Sequence, residues 1–100
     1  MAGLKPDSLD DVIHGRIRLG VMAYLAQTGQ ASFAELAKAL ETTNGNLSVH
    51  LKKLDAAGYV EIDKRFVDAK PLTTAHLTAA GREAWRAYLD ALGVLFRDQD

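Results

Sequence analysis

The stretch from Thr42 to Tyr59, TTNGNLSVHLKKLDAAGY, constrains the fold more than any other part of the chain. The Thr43 hydroxyl is placed to cap a helix by accepting a hydrogen bond from the free backbone N–H of Asn46. Gly58 stands where a residue of left-handed conformation commonly ends a helix. The sequence therefore predicts a helix over residues 44–57 that buries three leucines at helical spacing, Leu47, Leu51 and Leu54.

The side of this predicted helix that faces away from the leucines carries small, amide, hydroxyl and cationic groups. Such groups suit entry into a DNA groove, where amides meet base edges and cations meet phosphates. Simpler alternatives stay open, because these residue types also suit a helix start, a solvated face and the negative end of a helix dipole. We interpret the face as a DNA contact made by Thr43, Asn44, Gly45, Asn46, Ser48, Val49, Lys52 and Lys53.

Two further helices are predicted before this one. Apolar residues at helical spacing predict the first over residues 8–27. Ser32 and Glu35 have the spacing of a capping box, which predicts the second helix over residues 33–41. A short helix followed through a tight turn by a helix with a polar outer face is typical of a helix-turn-helix.

A β-hairpin is predicted over residues 59–77, directly after the helix-turn-helix. Alternating apolar and polar residues predict a strand at residues 59–63 and a second at 72–77, with a loop at 64–71 between them. We expect three cations of this loop to contact DNA beside the helix, although a mobile, solvated tip explains them nearly as well. They are Lys64, Arg65 and Lys70.

The last predicted helix spans residues 79–96 and has an unusually wide aromatic and aliphatic face. This face covers the core or, together with the first helix, pairs with a second copy of the chain. We favour the second interpretation. The predicted dimer interface comprises Leu9, Val12, Ile13, Trp85, Tyr88, Leu89, Leu92, Leu95 and Phe96.

Composition narrows the classes of function that remain possible. One hundred residues suffice for a single domain, residues 1–100, and the net charge of -1 is low for a DNA-binding protein. The chain has no cysteine, and its three histidines lie far apart in sequence, so we expect no metal, no cofactor and no enzyme activity. We expect His50 to be a partly buried, hydrogen-bonded core residue. Signal-peptide and membrane-spanning patterns are missing, which favours a cytoplasmic location.

The order of these elements and several short motifs resemble the small, single-domain winged-helix transcription regulators near the MarR and ArsR families. Matching stretches begin at His14, Thr43, Ala57, Lys70 and Leu77, and together they cover about residues 9–92. The resemblance implies a homodimer on double-stranded DNA with a pseudo-palindromic operator. It also implies room for a small-molecule effector, which we place near Trp85 or Tyr24.

The sequence thus predicts a mainly α fold with a small β-hairpin (α+β), a winged helix-turn-helix. We expect a dimeric, sequence-specific transcription regulator that acts as a repressor. Residues 44–53 would read the major groove, and the hairpin would contact the flanking backbone or minor groove. The alternative is a winged-helix adaptor that binds proteins without sequence-specific DNA binding. An adaptor has no need of the cationic surface between residues 45 and 70.

Overall fold

The computed structural model describes residues 10–97, except for the side chains of residues 94–97. Within this range, four helices pack with a three-stranded antiparallel sheet of strand order β1-β3-β2. The predicted winged helix-turn-helix fold is confirmed. The elements are α1 (Arg16–Thr28), β1 (Gln30–Ser32), α2 (Phe33–Ala39), α3 (Asn44–Ala56), β2 (Val60–Val67), β3 (Lys70–Leu77) and α4 (Ala79–Arg97).

The first helix begins eight residues later than predicted, at Arg16 rather than at Ser8. Asp10 accounts for much of the difference because it accepts hydrogen bonds from the backbone of the following turn. Its carbonyl accepts hydrogen bonds from the N–H groups of Ile13 (3.1 Å) and His14 (2.8 Å), and its carboxylate accepts one from the N–H of Val12 (2.8 Å). Such local bonds compete with a helix. Residues 8 and 9 of the predicted helix lie outside the described residues.

The second helix starts as predicted and ends sooner. Ser32 and Glu35 form the capping box, with N–H to side-chain distances of 3.1 and 3.2 Å. The helix stops at Ala39 rather than at residue 41, because Glu41 adopts a left-handed φ of 51°. The N–H of Thr42 then reaches back to the carbonyl of Ala37 at 3.0 Å, which closes a Schellman turn. This turn aims the chain into α3.

The third helix keeps both predicted boundary signals. The Thr43 hydroxyl accepts a hydrogen bond from the N–H of Asn46 at 3.1 Å, and Gly58 has a φ of 81°. The Tyr59 N–H donates to the carbonyl of Leu54 at 3.0 Å, which completes a second Schellman turn. The predicted leucine stripe is fully buried against the other helices: Leu47, Leu51 and Leu54.

The hairpin has longer strands and a shorter turn than predicted. Residues 64–67 and 70–71 belong to strands, and only Asp68 and Ala69 form the turn. Both turn residues have a left-handed φ, 52° and 62°, as a type I′ hairpin turn requires. Neither is glycine, and the usual sequence signal for this turn is therefore weak. Pro71, predicted to lie in a loop, pairs with Phe66 in the strand register.

A third strand was not predicted. β1 has only three residues, which is too short for alternation to be recognised in the sequence. It pairs with β3 so that Ala31 lies opposite Ala75, and both alanines are buried. β1 therefore anchors the start of α2 to the hairpin.

The base of the hairpin is joined to α4 through Thr78 and Gly81. The Thr78 hydroxyl accepts a hydrogen bond from the N–H of Gly81 (2.9 Å) and donates one to the carbonyl of Gly58 (2.6 Å). A Cβ on Gly81 would lie 2.0 Å from the carbonyl oxygen of Tyr59, so only glycine fits there. None of the described helices is both long enough and apolar enough to cross a membrane.

Candidate nucleic-acid interface

The outer face of α3 is the largest group of predicted site residues that the structure keeps together. Seven of its eight members are exposed on or beside one helix, and Val49 has 52% of its surface exposed. Ser48 is half-buried. No side chain covers Gly45, whose missing Cβ has nothing within 4 Å. Because Leu47, Leu51 and Leu54 hold the opposite side in the core, α3 presents this face outward.

The start of α3 orients Asn46 by two bonds. Its backbone N–H donates to the Thr43 hydroxyl, and its side-chain amide donates to the Thr42 hydroxyl at 2.9 Å. Thr42 was not among the predicted site residues. A preorganised amide loses less side-chain entropy when it binds a partner.

A recess of about 200 Å³ joins α3 to the hairpin. Its rim carries Lys52 from α3 and Lys64 from β2, together with the hydroxyls of Ser48 and Thr73. Its apolar lining comes from Phe33, Leu51 and Ile62. The fold thus brings one cation of the predicted helix contact and one of the predicted hairpin contact to a single opening. Two cations with hydroxyl donors between them suit a phosphate backbone.

The three hairpin cations do not form one cluster, contrary to the simplest expectation for a short loop. Directly paired residues of a sheet share a face, and successive residues alternate between faces. Lys64 pairs with Thr73 on the face toward α3, whereas Arg65 pairs with Leu72 on the other face. Lys70 pairs with Val67 and lies on the same face as Arg65. The Arg65 guanidinium also forms an ion pair with Asp63, with Nε 2.9 Å from the carboxylate.

Behind α3, the structure corrects one detail of the His50 prediction. The imidazole is half-buried, as expected, but its Nδ1 has no hydrogen-bond partner among the described residues. The Arg18 Nε is likewise buried without a partner there. Burial lowers the pKa of His50 below 6.5, and the charges of Arg18 and Lys53 lower it further. The lowered pKa favours the neutral imidazole at this position of α3.

The predicted dimer residues separate into two groups. Ile13 and Tyr88 are 0% and 2% exposed within a single chain, so they pack in its own core and have almost no surface left for a partner. The Tyr88 hydroxyl is 2.7 Å from Nδ1 of His14, and its ring stacks on Trp85 at a centroid distance of 5.8 Å. Leu9 lies outside the described residues, as do the side chains of Leu95 and Phe96.

The remaining dimer candidates keep part of their surface exposed. Leu89 on α4 is 46% exposed, which is unusual for a large aliphatic side chain near the middle of a helix. Half-buried Val12, Trp85 and Leu92 pack against the core while retaining exposed atoms. Trp85, Leu89 and Leu92 are three or four residues apart and therefore form an apolar strip along one side of α4.

Sequence reasoning missed Phe66, the most exposed large apolar residue of the described chain at 77%. It was placed in a loop, although Lys64 to Val67 continue the alternation of β2 up to the turn at Asp68. An aromatic residue and a β-branched residue directly before a turn indicate a strand end. Phe66 and Val67 therefore carry a strand signal in the sequence.

The site offers binding chemistry, with hydrogen-bond donors and cations on α3 and the hairpin. Among the described residues, no group of three or more histidine, aspartate and glutamate side chains is placed to hold a metal ion. The pKa of Tyr59 is raised to about 12, chiefly by its hydrogen bond to Asp10 and also by burial and by the Asp10 charge. That pair lies at the base of the hairpin, where it joins the turn before α1 to β2.

Comparison with known proteins gives a consistent result. The sequence model of the winged helix DNA-binding domain matches residues 17–95. An uncharacterized protein of Methanocaldococcus jannaschii is 32% identical over 78 residues, which are 78% of this chain and 85% of that protein. A transcriptional regulator homologue from Pyrococcus horikoshii OT3 superposes with a TM-score of 0.84 and 30% identity, covering 89% of this chain and 88% of that chain.

More distant structures share the fold. A MarR-like transcriptional regulator from Thermotoga maritima superposes with a TM-score of 0.59 and 23% identity, covering 95% of this chain and 60% of that one. An ArsR family transcriptional regulator matches as well. The predicted resemblance to winged-helix regulators near the MarR and ArsR families is confirmed.

Proposed function

The chain belongs to the winged helix DNA-binding domain family, and we propose that it is a dimeric, sequence-specific transcription regulator. In this proposal it acts in the cytoplasm as a repressor by occupying a pseudo-palindromic operator. Each subunit places α3 in the major groove of one half-site. The hairpin lies along the flanking backbone and the minor groove.

The recess between α3 and the hairpin is the observation that carries this proposal. Lys52 and Lys64 come from different elements and meet at one opening with Ser48 and Thr73. A strand of DNA whose major groove holds α3 would pass this opening with its phosphates. Phosphate contacts set the position of the helix and leave sequence reading to its N-terminal residues.

The N-terminal half of α3 supports base contact. Asn44 and Asn46 carry amides that can pair with adenine edges, and Gly45 allows the helix to approach closely. Val49 is exposed and suits a thymine methyl group. Ser48 at the recess suits a phosphate or a base. Lys53 suits a phosphate further along the groove.

We infer that the dimer forms along α4. Leu89 would leave water when a second copy packs against it, together with the exposed parts of Trp85, Leu92 and Val12. Two subunits double the number of phosphate contacts. That doubling offsets the low net charge of -1 per chain.

The DNA contact is tested by neutralising the two lysines of α3. In the double variant Lys52→Ala/Lys53→Ala we expect weaker binding to every duplex and a flatter dependence of log Kd on log salt. Each lost phosphate contact changes that slope by about 0.9. The matched control is Arg86→Ala, since it also removes an exposed cation but from α4. Equal affinity and slope for the double variant and the wild type would contradict the assignment and favour a protein-binding adaptor.

The dimer contact is tested with Leu89→Glu, measured by sedimentation equilibrium. We expect a monomer, because a carboxylate would be buried at the interface without a partner. Ala87→Glu places the same charge on the opposite side of α4 and should leave the dimer intact. Two variants with the same association constant would contradict the proposed interface.

A small-molecule effector fits beside Trp85. A surface cleft there is lined by Asp10, Tyr59, Ala84 and Tyr88, and Trp85 stacks on Tyr88. Tyr24, the other residue expected near an effector, instead directs its hydroxyl toward Glu35. Titration of candidate metabolites should change the Trp85 fluorescence. A flat response throughout would count against this cleft.

A further inference from the structure

We propose that Phe66 is an apolar wedge that enters the minor groove beside the α3 half-site and partly unstacks one base step, bending the DNA. This inference rests on the proposed function and adds a bending mode to it. Phenylalanine is among the side chains that minor-groove proteins insert between base pairs. The wedge would give the hairpin a role that its cations alone do not supply.

The Phe66 side chain is exposed to solvent rather than buried. It is 77% exposed, although the core is only a few residues away along the same strand. A ring in that position leaves a large apolar surface in water, where it gains nothing from folding. Val67 and Leu72, on the other face of the hairpin, are also partly exposed, at 46% and 36%. The hairpin tip therefore carries apolar surface that the single chain does not use.

The strand register sets the direction of the ring. Phe66 shares its face with Lys64, two residues earlier in β2, and this is the face directed toward α3. Two residues of strand place Phe66 roughly 7 Å further from the core than Lys64. If Lys64 meets a phosphate at the recess, Phe66 lies just beyond the backbone, at the level of the adjoining groove. Val67 points to the opposite face.

The charge of the hairpin tip favours nucleic acid over an apolar protein surface as its partner. Residues 63–70 hold three cations, Lys64, Arg65 and Lys70, and two carboxylates, Asp63 and Asp68, of which Asp63 is paired with Arg65. The remaining excess of positive charge at the tip attracts the phosphates that border a minor groove. The two-residue turn at Asp68 and Ala69 keeps the two strands paired up to the tip. The wedge is thus held on a paired strand end and needs little ordering.

The test compares Phe66→Ala with Val67→Ala on the DNA upstream of the protein's own gene. Affinity is measured by fluorescence anisotropy at several salt concentrations, and bending by energy transfer between dyes at the duplex ends. For Phe66→Ala we expect affinity to fall at least about tenfold, as for a central aromatic contact. The bend should also be lost. The salt slope should stay unchanged, because no phosphate contact is removed.

Two further variants sharpen the result. Phe66→Leu keeps a wedge and should retain most of the affinity and the bend. Lys64→Ala should flatten the salt slope, which separates loss of a phosphate contact from loss of the wedge. Val67→Ala removes apolar surface from the same tip on the other face and should bind and bend like the wild type. This pattern across the four variants supports the inference.

Three results would overturn it. Specific, unbent binding by the wild type with equal affinity for Phe66→Ala would remove the wedge and leave the proposed function standing. A change of oligomeric state in Phe66→Ala, with DNA bending intact, would assign the ring to a protein contact. Absence of any DNA binding by the wild type would reject both the wedge and the proposed function.

Discussion

The two ends of the hairpin differ in almost every physical respect. At the base, the backbones of Tyr59 and Gly81 approach so closely that a Cβ on Gly81 would collide, and the Thr78 hydroxyl bonds to both Gly58 and Gly81. At the tip, Phe66 is 77% exposed and Ala69 adopts a left-handed φ without being glycine. The base joins three elements, whereas the tip touches little of its own chain.

This difference indicates which residues are constrained by folding and which are free to bind a partner. At the base, larger side chains would push α3, the hairpin and α4 apart, so packing constrains the sequence there. At the tip, a strained turn and an unburied ring cost stability and change no other part of the fold. Strain and exposed apolar surface at such a position fit the proposed contact of the tip with DNA. The following substitutions test each end, beginning with the largest expected effect.

Gly81→Ala should destabilise the protein most. The new Cβ would lie 2.0 Å from the carbonyl oxygen of Tyr59, and neither backbone can move without opening the hairpin base. We expect a loss of about 3 kcal/mol or more in the free energy of unfolding, measured with urea. Gly45→Ala is the control, since nothing lies within 4 Å of its Cβ and helix propensity favours alanine by about 1 kcal/mol. A similar small effect for both variants would mean that the base is not tightly packed.

Thr78→Val should cost about 1–2 kcal/mol. The substitution keeps the shape of the side chain and removes two hydrogen bonds, to the Gly81 N–H and to the Gly58 carbonyl. Thr74→Val on the outer face of β3 serves as the reference, because the structure gives its hydroxyl no bond within the described chain. Thermal unfolding that is equal for the two variants would contradict the role of Thr78.

Tyr59→Phe should cost about 1 kcal/mol near neutral pH, the usual net worth of a hydrogen bond. Because the folded-state pKa of Tyr59 is raised from 10.0 to about 12, the bond to Asp10 stabilises the fold fully below pH 10. That contribution is lost as the pH rises from 10 toward 12. The stability difference between the wild type and Tyr59→Phe should therefore shrink over that window.

Tyr24→Phe is the control for this pH series, because its hydroxyl makes only a 3.4 Å contact with Glu35. Unfolding by urea at pH 8, 10, 11 and 12 measures the differences. A wild-type advantage over Tyr59→Phe that stays constant to pH 12 would show that Asp10 does not hold the phenolic proton.

The smallest effect is expected at the turn, and it has the opposite sign. Ala69→Gly should stabilise the protein by about 0.5–1 kcal/mol, because glycine adopts a φ of 62° without a steric penalty. Gly58→Ala makes the reverse change at a φ of 81°, with no atom near the new Cβ, and should destabilise by about 1 kcal/mol. Changes of the same sign in both variants would contradict the conformational explanation.

The same contrast explains which features the sequence could reveal. Thr43, the leucine stripe and Gly58 are local signals at fixed spacings, and α3 was predicted to within one residue. Asp10 shortened α1 through bonds that apolar spacing does not encode. β1 exists only because β3 lies beside it. The sequence did not reveal the two-residue turn, because Asp68 and Ala69 stand where glycine normally marks such a turn.

The candidate site shows the same limits. The outer face of α3 could be read from helical spacing alone. The meeting of Lys52 with Lys64 could not, because it depends on how the hairpin packs against α3. The separation of Arg65 from Lys64 depends on a strand register that was predicted to be a loop. Burial of Ile13 and Tyr88 within one chain follows from tertiary packing, which apolar content cannot distinguish from a dimer face.

The most direct test of the account is binding of the wild-type protein to the DNA upstream of its own gene, compared with an unrelated duplex of equal length. Fluorescence anisotropy at about 50 and 200 mM salt spans the range over which phosphate contacts weaken strongly. We predict tighter binding to the upstream DNA at both concentrations and a marked loss of affinity at the higher one. Equal affinity for the two duplexes, or no binding to either, would contradict a sequence-specific regulator.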